Sequence, residues 1–355
     1  MSLLDHLIAR IRQDGPISVA DYMTECLLHP TLGYYTTRDP LGTQGDFTTA
    51  PEISQMFGEV IGLCLAQSWM DQGKPSRFVL GELGPGRGTL MADILRATRR
   101  VPGFHQAAQI VLLEASPELK NKQVETLRDY APKWVDTITD FPDLPLYLVA
   151  NEFFDALPIR QFLRDGDGWR ERLVGASEGA LTFGLGPRVG QPALKDRLAD
   201  TTDDDLVDLC SAATPIVTTV AQKIATFGGA TLIVDYGDWR SLGDTLQAMR
   251  NHKHSNPLET PGQADLTSHV DFEAFALAAR TTGCAYTRLT PQGVFLERLG
   301  ITTRAQTLAN SLDGSALEDL IAAHRRLTHP EEMGNLFKVL GLYPAHSAPP
   351  PGLES

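Results

Sequence analysis

Apolar residues along the chain follow two rhythms. Over residues 1 to 76 they recur mainly at helical spacing, as in Leu3, Leu4, Leu7, Ile8 and Ile11, with a polar, glycine-rich interruption at 33–51. From residue 77 onward, short and nearly continuous apolar runs alternate with amphipathic stretches. Such runs suit strands buried on both faces, so the alternation predicts an α/β fold: a mostly parallel sheet with helices on both sides. The expected strands are 77–82, 109–114, 135–139, 145–150 and 230–235, with a later pair near 285–289 and 336–341.

Other stretches break this rhythm. Segments 169–175 and 180–183, with Gly179 between them, predict an antiparallel hairpin inside an insertion near 160–228. Residues 240–268 form a second, polar insertion that reads as a loop, and the acidic run 200–208 reads as the start of a helix. The proline-rich end, 344–355, reads as a disordered tail. The expected organisation is a helical region over 1–76 with a lid loop at 33–51, then an α/β domain over 77–343 with two insertions.

The most informative stretch is Gly81-Glu82-Leu83-Gly84-Pro85-Gly86-Arg87-Gly88-Thr89-Leu90. It lies between a predicted strand and a helix whose apolar face is Leu90, Met91, Ile94 and Leu95, where backbone N–H groups can approach a ligand closely. Gly84, Gly86 and Gly88 give G-x-G-x-G, whereas a dinucleotide fingerprint needs glycine where Thr89 stands. A P-loop needs a lysine that this turn lacks. Glu82 repels phosphate and suits a cationic, amine-bearing ligand. The turn, with Pro85 at its centre, therefore points to S-adenosylmethionine. One α/β unit later, Glu114 ends the next strand as either a ribose-hydroxyl acceptor or an ordinary strand-end acid. Ser116 and Pro117 then restart a helix.

At the end of the fourth strand, Asn151, Glu152 and Asp155 place an amide and two carboxylates beside Phe153 and Phe154. This is a recess suited to a guanidinium, or else a structural corner. Asp140 either accepts from an adenine amino group or caps a turn, and Asp235 and Tyr236 either shape the substrate lip or serve structure. The lid-like segment offers Asp46, Thr48 and Glu52, with Thr49 and Glu52 alternatively forming a capping box. His269 is a base or, more commonly for a lone histidine, structural. Gly175-Ala176-Ser177-Glu178-Gly179 mimics a hydrolase elbow but falls in the predicted hairpin. His252 and His254 lack a third metal ligand at suitable spacing, and no metal is called for.

Composition adds exclusions. The 355 residues carry a net charge of −13, which argues against a nucleic-acid partner. The longest apolar stretch, 60–66, is too short to span a bilayer. Four scattered cysteines suggest neither zinc site nor disulfide framework. With no targeting character in residues 1–12, the expected location is cytoplasmic.

Together these segments resemble the MidA-like class I methyltransferases. The resemblance rests on Gly33-Tyr34-Tyr35, 45–59, 82–88, 151–158, Asp235-Tyr236-Gly237, 265–272 and 333–340, and spans nearly the whole chain. It implies a seven-stranded Rossmann-like fold, S-adenosylmethionine as donor and a protein arginine as acceptor. In mitochondrial relatives that acceptor is a core subunit of respiratory NADH:quinone oxidoreductase. Lacking a targeting segment, this chain looks like a bacterial member, which leaves its acceptor protein open. On this reading Glu82, Gly84, Pro85, Gly86, Gly88, Glu114, Asp140 and Asp46 serve the cofactor, while Glu152, Asp155 and Asn151 serve catalysis. The alternatives are a small-molecule N- or O-methyltransferase, a non-catalytic assembly chaperone and, least favoured, a nicotinamide oxidoreductase.

Overall fold

A computed structural model of the chain describes residues 2–37, 49–250 and 253–355. The chain divides into two compact units. The larger comprises Thr48–Phe154, Thr214–Trp239 and Phe272–Ser355. Its sheet is built from β1 (Phe78–Leu83), β2 (Ala108–Leu113), β3 (Lys133–Val135), β4 (Leu146–Asn151), β5 (Gly229–Asp238), β6 (Cys284–Tyr286) and β7 (Phe337–Pro344). Their order is β6-β7-β5-β4-β1-β2-β3. Strands β1 to β5 pair in parallel, and β7 runs antiparallel between β5 and β6. These strands form the mostly parallel sheet that the alternation of apolar runs predicts, and Thr290–Pro291 pairs alongside β7. Every residue of β1 and β4 is buried, as strands covered on both faces require.

Helices α1 (Ala50–Ile53), α2 (Gln55–Asp71), α3 (Thr89–Thr98) and α4 (Pro117–Thr126) belong to the same unit. Ser54 caps α2 by accepting from the Met56 N–H at 3.2 Å. Helix α2 is buried over most of its circumference, and its Phe57, Ile61 and Leu65 share one core with Leu90, Ile94, Tyr147 and Val234. Gly58 and Gly62 let α3 approach closely: a Cβ on Gly62 would sit 2.9 Å from the Ile94 Cα. Ser116 caps α4 ahead of Pro117, as expected.

The smaller unit comprises Met1–Phe47, Asp155–Ala213 and Arg240–Asp271. The expected hairpin is present as Gly168–Ser177 paired with Ala180–Val189. Glu178 and Gly179 make its turn with φ of 52° and 84°, the positive pair that a tight hairpin needs. The elbow-like Gly175-to-Gly179 stretch is thus strand and turn, with no helix after it.

Several expectations are corrected. The helical region 1–76 is shared between the two units, because α1 and α2 pack in the core beneath the larger sheet. The acidic run 200–208 leads into a strand, Leu206–Leu209, whose Leu206 and Val207 are buried. Residues 240–268 contain a small antiparallel sheet of Gln247–Arg250, Lys253–Ser255 and Asp265–Thr267. The proline-rich end is not a disordered tail: Leu353 is buried in the larger core, and the Glu354 carbonyl accepts from the Arg288 N–H at 2.7 Å. Among the described residues, no helix is long and apolar enough to cross a membrane.

Candidate functional site

The glycine turn leaves β1 at Leu83. Gly84, Gly86 and Gly88 have φ of 61°, 55° and 83°, a region that side-chain-bearing residues rarely enter. Gly84 is needed twice over, since a Cβ there would also lie 2.9 Å from Cδ2 of Phe153. The turn is held by the Gly84 N–H donating to the Leu113 carbonyl at 2.9 Å and the Gly88 N–H to that of Pro85 at 2.8 Å.

Two carboxyl groups lie behind this turn. Glu82 is 3% exposed, and its Oε2 has no hydrogen-bond partner among the described residues. Burial, with the neighbouring Glu114 charge, pushes its pKa up to about 8, against a smaller pull from the Met91 N–H. Glu114 is also buried and raised by burial, while accepting from the Ser116 N–H at 2.8 Å and Gln123 Nε2 at 3.0 Å. Gln123 further donates to the Gly86 carbonyl at 2.7 Å and accepts from Trp134 Nε1 at 2.7 Å. Gln123 therefore fixes the turn and Glu114 together. Its place one face along α4 carries no special residue spacing, so the sequence does not single it out.

At the carboxyl end of β4, Glu152 has φ of 51°, strained for a residue with a side chain. The surroundings hold that conformation. The Glu152 N–H donates to the Val234 carbonyl at 2.9 Å. The Phe154 N–H donates to Asp235 Oδ2 at 3.0 Å, and Asp235 Oδ1 accepts from the Tyr236 N–H at 3.0 Å. Glu152 Oε1 accepts from the Ala50 N–H at 3.0 Å and Asn151 Nδ2 at 3.1 Å. Burial raises the Glu152 pKa to about 6, and these two donors and the Arg326 charge oppose the rise. Asn151 is 8% exposed, and its Oδ1 has no partner among the described residues. Phe153 packs edge-on against Phe154 with ring centroids 5.1 Å apart.

A sequence profile of S-adenosyl-L-methionine-dependent methyltransferases matches residues 60–290. The mitochondrial protein arginine methyltransferase NDUFAF7 of Danio rerio is 40% identical over 365 residues, covering 95% of this chain and 86% of its own. Its Homo sapiens counterpart is 36% identical over 370 residues, covering 96% and 83%. The chain belongs to this methyltransferase family. A COG1565 superfamily protein from Burkholderia thailandensis, solved with S-adenosyl-homocysteine bound, is similar at a TM-score of 0.81 and 30% identity, over 96% of this chain and 91% of that one.

As a methyltransferase of this family, the protein uses S-adenosylmethionine as its donor. The site fits that molecule on its own terms. The unpartnered, buried Glu82 oxygen suits a cation, the glycines leave backbone open to close approach, and the turn has no lysine for a polyphosphate. The expected cytoplasmic location is corrected by the relatives, whose names are mitochondrial. It rested on the N-terminal segment, which from Leu3 onward belongs to the capped helix Leu3–Asp14.

The other candidate residues fall in different places. Asp140 does not end a strand: β3 stops at Val135, and Asp140 lies exposed in a 3₁₀ turn. There it accepts from the Thr137 N–H at 3.1 Å and hydroxyl at 2.8 Å, so it is a cap. Asp155 belongs to the smaller unit, where it is buried, its carbonyl accepts from the Ser268 N–H at 2.9 Å, and its charge helps raise the Tyr35 hydroxyl pKa. His269 in that unit lies 3.3 Å from Gln247 Nε2 and is tied by its N–H to the Thr245 hydroxyl. Thr49 makes no side-chain cap. Asp46, Thr48 and His252 lie outside the described residues.

Proposed function

We propose that this methyltransferase modifies a guanidinium nitrogen of a protein arginine, with Glu152 as the carboxylate that orients it. The observation that carries this reading is the strained, half-buried Glu152 at the carboxyl end of β4, where open α/β sheets bind ligands. The names of the relatives, protein arginine methyltransferases, support the acceptor class. When bound, S-adenosylmethionine supplies an electrophilic methyl group on a positively charged sulfur.

The chain's residues have three tasks. Glu82 sets a negative charge behind the glycine turn once it is ionised. Glu152, ionised above about pH 6, holds the delocalised arginine charge so that one nitrogen faces the donor. A carboxylate about 4 Å from a guanidinium contributes roughly 4 kcal/mol at an effective dielectric near 20, before desolvation. Asn151 orients that carboxylate through its 3.1 Å hydrogen bond. The nitrogen sheds a proton as it gains the methyl group, and a carboxylate with a pKa of about 6 can receive it. The proposed acceptor protein is a subunit of respiratory NADH:quinone oxidoreductase, on the family resemblance.

The test uses lysate from cells lacking the gene, tritiated S-adenosylmethionine and the full chain. Glu152→Gln should lower label transfer by about 10²-fold or more while donor affinity, read by calorimetry, stays near wild type. Mass spectrometry of proteomes with and without the gene should show a methyl-arginine peptide that disappears. A fully active Glu152→Gln protein, or label found only on small molecules, would reject the reading.

A further inference from the structure

Helix α1 makes two contacts that fall on opposite sides of the proposed chemistry. Glu52, with its side chain 17% exposed, reaches the glycine turn. Its Oε1 accepts from the Thr89 hydroxyl at 2.6 Å, and its Oε2 lies 3.9 Å from Arg87 NH1. Arg87 and Thr89 flank Gly88, the left-handed residue just before α3. Two residues before Glu52, the Ala50 N–H donates to Glu152 Oε1 at 3.0 Å. Ala50 and Glu52 share one short turn, closed by the Glu52 and Ile53 N–H groups donating to the Thr49 carbonyl at 2.9 and 3.1 Å. A shift at one end of that turn is therefore transmitted to the other.

We propose that Glu52 is a positioning residue: by gripping Thr89 it holds the donor turn, and through α1 it keeps the Ala50 N–H on the acceptor-side carboxylate. Thr89 explains itself in this way. A glycine at that position would offer no hydroxyl, and the turn would lose this side-chain tie to α1. In this role Glu52 acts through Thr89 and Ala50. The donor half of the proposal stands on the glycine turn alone, whereas the acceptor half rests on the role given to Glu152 above.

The experiment compares Glu52→Ala, Glu52→Gln, Thr89→Val and the double variant Glu52→Ala/Thr89→Val in the full chain. Each is titrated calorimetrically with S-adenosylmethionine and melted to confirm folding. Glu52→Ala and Thr89→Val should each weaken donor binding about tenfold, as loss of one hydrogen bond to a charged group predicts. The double variant should be little worse than either single, because both remove one shared contact. Glu52→Gln keeps an oxygen that accepts from Thr89 and should rescue binding to within about threefold. At saturating donor, lysate labelling should fall in Glu52→Ala and recover in Glu52→Gln. Wild-type affinity in Glu52→Ala, multiplying losses in the double variant, or no rescue by glutamine would overturn the proposal. Thr89→Val keeps the side-chain shape and carries the binding test if Glu52→Ala does not fold. An active Glu152→Gln protein removes the reading of the acceptor site, yet the titrations still judge the grip on Thr89.

Discussion

Asp235 is fully buried, and both its oxygens are engaged by backbone N–H groups, those of Phe154 and Tyr236. An isosteric amide cannot repeat this, because it offers one acceptor and turns an N–H₂ toward the other donor. Asp235→Asn should therefore cost about 1–3 kcal/mol of stability and release the strained corner at Glu152, so that methyl transfer falls more than donor affinity. A denaturant melt and calorimetry check both parts; an Asn variant as stable and active as wild type would sink the argument. At this scale the sequence is partly transparent. Gly84, Gly86, Gly88 and Glu82 announce themselves, since positive φ and a buried acid leave a compositional trace. Asp235 reads equally as lip or scaffold, because its partner Phe154 is 81 residues away and contributes only backbone. Gln123 leaves no trace at all, being one polar residue on a helix until Glu114, Gly86 and Trp134 converge on it.

Whole elements were legible where one physical demand dominates. Strands β1, β4 and β5 are apolar because both faces are covered, and their boundaries, like those of β2, fall within a few residues of the periodic pattern. The strand Leu206–Leu209 was hidden because its polar member, Asp208, is buried with Gln161 and Thr245 as partners, so an acidic run conceals a core strand. The C-terminal residues mislead for the opposite reason: buried Leu353 and the bond from Arg288 to Glu354 anchor a segment whose prolines suggest disorder. Helix α2 carries its own test. With Gly62 facing the Ile94 backbone, Gly62→Ala places a methyl 2.9 Å from a Cα and 3.1 Å from a carbonyl oxygen, neither of which can rotate away. The helices must separate, at about 1–3 kcal/mol, despite the higher helix propensity of alanine. A melting temperature at or above wild type would show that α2 and α3 have slack that the close contact denies.

On the scale of the whole molecule, protons are more telling than the net charge of −13. Burial raises the pKa of Asp93, Glu152 and Asp208 to about 6 and that of Glu82 to about 8. These acids hold protons in the folded chain at pH values where the unfolded chain has released them. Folding then takes up protons, and stability falls as pH rises, by about 1.4 kcal/mol per pH unit for each proton. Glu59, lowered by its ion pairs with Arg304 and Arg96 despite burial, works the other way and loses its contribution only on acidification. The donor-free protein should thus lose stability most steeply between about pH 4 and pH 6, and more gently from there to pH 8 through Glu82. A cation beside Glu82 favours its ionised form, so donor binding should release a proton between pH 6 and 8. Melting temperatures with and without S-adenosylmethionine should then diverge over that interval, and Glu82→Gln should close the divergence and flatten the donor-free decline. Proton release is read directly by calorimetry in buffers of different ionisation enthalpy. A constant gap with no released proton would mean that Glu82 is already charged in the donor-free protein, and that its unpartnered oxygen is not what the donor's charge meets.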